Sequence, residues 1–303
     1  MAGIAQIIPV AATDLTLPKL FAHPEMAEGT LFLWDPAHEY GAVTGVPGDG
    51  GKLPNVASRQ ALPILSSSGA TVIGDLDAPV SSVFDANGAL LERSAKGGIH
   101  ILPSQVNQVS NNNAWIARIP AAIRRYVFDM LPGDGLNGFY FSFWYAVTRS
   151  NVSGLTTMSY AHMIAGAGTS PYVYHTAASP VAAGALIGSY SGSSGTARII
   201  LGGSSAFGGT KPASPLPTSS LFGNGLMDQW GISGNRNKVG GRVYGRVKFE
   251  ALRLNKRANN GLGGTIAEEF AAAQAADLAA WTKHYGIGGQ FYGDTWTDPT
   301  TFP

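Results

Sequence analysis

The chain has 303 residues, 45% of them hydrophobic, and a net charge of +1 at pH 7. That balance excludes a disordered chain and removes the electrostatic reason to expect nucleic acid or an anionic membrane surface as a partner. The absence of cysteine excludes disulfides and thiolate metal sites, while 40 glycines, 18 prolines and only 13% charged residues describe a loop-rich, strand-rich chain.

Met1 to Ala12 is apolar, but no Lys or Arg precedes Lys19 and Pro9 interrupts it, so it does not read as a signal peptide. No run approaches the roughly 18 to 20 apolar residues of a membrane span. The sequence therefore predicts a soluble protein made in the cytoplasm. Residues 1–80 are the least periodic part, with prolines from Pro9 to Pro79 separating short apolar pieces such as Leu31 to Trp34. Such a stretch closes no core of its own, and it reads as an extended arm or as an edge layer of the same domain.

From residue 80 a strand-and-turn rhythm sets in. Val80 to Phe84, the turn sequence Asp85-Ala86-Asn87-Gly88 and Ala89 to Glu92 predict a hairpin. Ile99 to Leu102 and Ala114 to Ile119 are further short strands, and Ile123 to Met130 fits either a helix or a strand. Gly138 to Thr148 is the strand on which the core should be built. At a period of two, Phe139, Phe141, Phe143, Tyr145 and Val147 form an apolar face, and Tyr140, Ser142, Trp144, Ala146 and Thr148 a mixed one. Strands continue at Leu155 to Ala165, Pro171 to Thr176, Ala185 to Tyr190 and Ala197 to Leu201, whereas Lys211 to Ser220 is too rich in proline to join a ladder. Arg242 to Leu254 sets Val243, Val247, Phe249 and Ala251 against Arg242, Arg246, Lys248 and Glu250, which predicts an outer strand with a charged solvent face. Thr265 and Glu268 form a capping box for an alanine-rich helix to about His284, with Ile266, Phe270, Ala273, Ala280 and Trp281 on one face and Gly286 ending it. The divisions are thus 1–80, a strand-built body over 81–264, and a helix with an aromatic tail over 265–303.

Motifs that carry chemistry are scarce. Gly133 to Gly138 matches G-x-G-x-x-G but leads into a strand, so it is a turn and not a phosphate cradle. Gly45 to Lys52 misses the P-loop pattern, because Leu53 stands where Ser or Thr is needed. No G-x-S-x-G or H-E-x-x-H occurs. His162 and His175 fall in neighbouring strands, where they are sheet histidines or a pair brought together. Asp75, Asp77, Asp85 and Asn87 are the densest set of oxygen donors and the candidate Ca²⁺ ligands, although the same residue types make turns. Trp34, Tyr40, Trp144, Tyr172 and Tyr174 are the candidate aromatics for a glycan surface or an interface.

The strand Phe139 to Trp144 resembles the aromatic strand of the concanavalin A-like lectin/laminin-G jelly roll. Arg242 to Glu250, the Thr265 helix and Gly288 to Pro299 are similar to the C-terminal end of bacteriophage virion proteins that carry this domain. The resemblance implies an all-β antiparallel jelly-roll sandwich with an irregular N-terminal arm and one C-terminal helix. It implies a structural virion component of the head, collar or tail, with copies of itself and other virion proteins as partners. The alternative is a carbohydrate-binding module for host surface glycans. Glycosidases of this fold use closely spaced carboxylates in an E-x-D-x-E set, which this sequence lacks, so no catalytic residue and no cofactor beyond the candidate Ca²⁺ is expected.

Overall fold

The computed structural model describes residues 23–67, 75–83, 88–106, 114–123, 126, 139–149, 159–165, 171–176, 195–203, 218–224, 240–252 and 266–303. It is a mainly-β fold of two antiparallel sheets. The first contains β1 (Thr30–Trp34), β4 (Ala89–Arg93), β5 (Ile99–Pro103), β7 (Phe139–Val147), β10 (Gly195–Gly203) and β12 (Arg242–Ala251). The second runs β2 (Lys52–Leu53), β3 (Ala78–Val83), β6 (Ala114–Arg118), β11 (Thr218–Asn224), β8 (Ser159–Ala165), β9 (Pro171–Thr176). From β3 onward the chain alternates between the sheets at almost every connection, staying in one sheet only for β4–β5 and β8–β9.

β12 organises the first sheet. β7 pairs along one side of it, while β5 takes Arg242–Tyr244 and β1 takes Val247–Glu250 on the other. All ten of its residues are buried, so the outer strand read from its charges is instead a central one. The ladder with β7 shifts register between Tyr244 and Val247, a bulge formed by Gly245 and Arg246. An extra residue reverses the alternation beyond it. Arg242 is in register with Val147 on one face, but Lys248 and Glu250 are in register with Ser142 and Tyr140 on the other. Sequence alternation had put these charges on one side.

Two other expectations fail for the same kind of reason. β3 and β4 do not form a hairpin: β3 pairs with β2 and β6, and β4 with β5 across the Ser94–Gly98 turn. A turn sequence fixes a local reversal but not which sheet the chain then enters. Thr218 to Ser220, assigned to a proline-rich loop, pairs with Met163 to Ala165 as the start of β11. The remaining strand expectations over 99–102, 114–119, 171–176 and 197–201 fall on β5, β6, β9 and β10, and the described part of that over 155–165 falls on β8. Residues 121–123 are helical, and Ala185 to Tyr190 and Gly133 to Gly138 lie outside the described residues.

The described part of 1–80 is built into these sheets. β1 is fully buried, and the Val56 amide donates to the Leu33 carbonyl at 2.8 Å. Asn55 reinforces the link: its Oδ1 accepts from the Leu33 amide and its Nδ2 donates to the Leu31 carbonyl. Helix α1 (Ser58–Ser67) follows and packs against β1.

Helix α2 (Ile266–Tyr285) covers the mixed face of β7. Acidic residues in its first turn and Lys283 and His284 in its last match the helix dipole. Gly286 follows its last residue, but the left-handed backbone is at Gly288, with φ of 78°. The tail beyond runs to β4 and β5. The Ala95 amide donates to the Thr295 carbonyl, the Lys96 amide to Asp294, and Arg149 to the Phe302 carbonyl at 2.7 Å.

Candidate functional site

The buried seam of α2 contains Glu269, Ala273 and Asp277, spaced by four residues, with Phe270, Trp281 and His284 partly buried beside them. Among its described side chains, two of the three buried ones are therefore acids. Opposite Asp277 the bulge presents Arg246, whose side chain is 1% exposed and forms ion pairs with both Asp277 and Glu25. Burial pulls the guanidinium pKa down and the Asp277 and Glu250 carboxylates oppose it; the group stays charged at any pH at which the protein folds. Its Cζ lies 3.8 Å from the Trp144 ring centroid, a cation–π contact out of water. The Tyr140 hydroxyl donates to Asp277 at 2.9 Å, and Lys248 pairs with Glu250.

Glu25 carries the network to the chain's opposite end. Its Oε1 lies 2.8 Å from His284 Nε2, and His284 Nδ1 lies 2.8 Å from Gln290 Oε1. Both partners accept, which suits a doubly protonated ring, but burial prevails and holds the His284 pKa below its ordinary value. Gln290 Nε2 donates to Asp35, which also binds His23 at 3.1 Å. Burial disfavours the Asp35 carboxylate, yet hydrogen bonds from His23, Gln290 and the Ala37 amide outweigh it and keep the pKa low. A polar chain thus runs Asp277, Arg246, Glu25, His284, Gln290, Asp35, His23. Beside it a cleft of about 220 Å³ is lined by Pro24 to Ala27, Arg246, Lys248, Ala276, Asp277 and Ala280. Its charged groups are already in ion pairs, Arg246 with Glu25 and Asp277, and Lys248 with Glu250.

A second buried histidine locks the tail. His100 Nδ1 lies 2.7 Å from Glu92 Oε1 and Nε2 lies 2.9 Å from Thr148 Oγ1. A carboxylate only accepts, so Nδ1 carries the proton and Nε2 accepts from the threonine. Glu92 also accepts from the amide and hydroxyl of Thr297 in the tail. Burial holds the His100 pKa below 6.5 despite Glu92. The neutral ring therefore contributes stability that is complete above about pH 6.5 and is lost as pH falls through the folded pKa. Burial would raise the Glu92 pKa, but His100 and Thr297 hold it low, and its contribution is lost at lower pH in the same direction. Denaturant unfolding is expected to show stability falling from pH 7 to 5, by at most about 1.4 kcal/mol per pH unit for one proton. His100→Gln should flatten that fall, and an unchanged slope would remove His100 as its source.

The residues singled out from sequence are scattered. Trp34 and Trp144 are 0% exposed, so neither can face a sugar in this fold. Tyr40 is 37% exposed. Tyr172 and Tyr174 lie on β9, whose side chains are not among those described. Asp75 pairs with Lys52 and accepts from the Asp77 amide, and Asp77 accepts from the Asn55 amide. These are turn and strand-end contacts; Asp85 and Asn87 lie outside the described residues, and no cluster of three metal-ligating side chains occurs among those described. Register pairs His162 with Tyr174 and His175 with Ala161, so the two histidines are not cross-strand partners. No described helix is long and apolar enough to cross a membrane.

Sequence reasoning missed Glu25, Glu269 and Asp277. The spacing Glu269-Ala273-Asp277 was the available signal, an acidic stripe on the same face as the alanine expected to pack. No family model, curated protein or solved structure matches the chain.

Proposed function

We propose that the chain is a structural subunit of a bacteriophage virion, a jelly-roll body of the concanavalin A-like type without catalytic activity. The observation that carries this reading is the fate of the buried charges. Carboxylates that acid/base chemistry would need, Glu25, Asp277 and Glu250, are each matched to Arg246 or Lys248 and fasten α2 and the N-terminal segment to β12. The alternation of strands between two sheets supports the jelly-roll topology. Glu92 and Arg149, which bind the tail to the first sheet, suit a body that keeps its shape within an assembly. Burial of Trp34 and Trp144 takes weight from the sugar-binding alternative.

Quantitative mass spectrometry of purified phage particles, with the major capsid protein as the internal standard, tests this. Hundreds of copies per particle would mean a head-coating role, and a few to a few dozen a collar, tail or fibre. Absence from the particle would overturn the proposal.

A further inference from the structure

A second cleft, of about 210 Å³, lies between the β12 bulge and the turn after α2. Its floor is made of small residues, Ala146, Val243 and Gly245. Gly245 is essential to the space: a Cβ there would come within 3.1 Å of both the Tyr285 hydroxyl and the Phe291 ring. Tyr285 and Phe291 stack with centroids 5.1 Å apart, and Trp296 and Asp294 complete the wall. Asp294 is held in place because its Oδ1 accepts from the Lys96 and Thr295 amides at 2.8 and 2.9 Å. Among the described residues no cationic side chain forms an ion pair with it.

Three aromatic residues, Tyr285, Phe291 and Trp296, line the cleft beside the Asp294 carboxylate, and an electron-rich aromatic wall next to an acid attracts a cation. Too few hydrogen-bonding groups line the cleft to satisfy the hydroxyls of a sugar. The volume is also below the roughly 300 to 1,000 Å³ of pockets that hold whole small molecules, so it admits one head group. Burial and the nearby Asp294 charge keep the Tyr285 hydroxyl protonated, so no second anion develops there. The fold holds a cation on an aromatic ring next door, where Arg246 covers Trp144.

We propose that this cleft is a binding site for an organic cation, an alkylammonium group seated among Tyr285, Phe291 and Trp296 with its charge answered by Asp294. The full chain is titrated with choline, with n-butylammonium and with 3,3-dimethylbutan-1-ol, the uncharged isostere of choline, following tryptophan fluorescence and calorimetry. At least one cation should bind with a dissociation constant on the order of 1 mM, and the neutral alcohol at least about tenfold more weakly. Preference for choline would mark a methylated head group as the ligand, and preference for butylammonium a lysine-like side chain. Asp294→Asn, which keeps the acceptor for both amides, should weaken the cation about tenfold with an unchanged thermal midpoint. Equal binding of alcohol and choline, binding of galactose in place of either cation, or no saturable binding would overturn the proposal. The comparison of charged and neutral probes on the unaltered protein holds even if the variant does not fold.

Discussion

Arg246→Ala is expected to destabilise the protein by about 3 to 5 kcal/mol, the cost of leaving buried carboxylates without their cation. The guanidinium forms ion pairs with both Asp277 of α2 and Glu25 of the N-terminal segment, and all three side chains are 10% exposed or less. Against a typical total of about 5 to 15 kcal/mol, the loss is a large fraction of the stability of the fold. A structural pair also predicts rescue. Arg246→Met combined with Asp277→Leu and Glu25→Gln removes the charges together and should recover most of the loss, because a buried ion pair gains little over well-packed apolar groups. Urea unfolding of the single and triple variants checks both. A triple variant no more stable than the single one would mean that the charges do more than hold the helix.

Trp144→Ala should cost about 3 to 5 kcal/mol, as large-to-small changes at fully buried aromatic positions do. The indole is 0% exposed and meets Arg246 on its face and His284, Tyr285 and Phe291 along its edges. Its removal opens a cavity where β7, β12, α2 and the tail converge. Hydrogen exchange is expected to show faster opening of 266–303 than of β5, because α2 and the tail lose their common anchor while β5 keeps its ladders. Uniform acceleration over the whole chain would mean that the helix does not open separately.

The sequence made the strands legible where local pattern decides. The period of two in Phe139 to Val147 located β7 and its central place, and the capping box and alanine content located α2 to within a residue at each end. It failed where a distant partner decides. Arg246, Lys248 and Glu250 resemble a solvent face because nothing near them in the chain shows that Glu25 and Asp277 will meet them. Tyr140, Ser142 and Trp144 look mixed in sequence, yet all three are buried, and the hydroxyls of Tyr140 and Ser142 meet Asp277 of the helix seam. The bulge was partly visible, since Gly245 interrupts an alternating strand pattern, and an isolated glycine in such a pattern marks a bulge. Allowing for it would have moved Arg242 off the face of the other charges. The aromatics proposed for a glycan surface show the limit of composition: a tryptophan in a strand has the same sequence signature whether its ring stacks on a sugar or on an arginine.

The placement of β12 dictates the order in which the molecule can assemble. Thr30 is in register with Glu250, and β7 and β5 close on the same strand, so three earlier strands have no central partner until that late segment leaves the ribosome. Nascent chains lacking it expose the unpaired edges of β1, β5 and β7, the state in which strands add to other molecules. Contacts this distant in sequence also make closure slow. Synthesis in a crowded cell therefore favours a chaperone or early neighbours that shield these edges until β12 arrives.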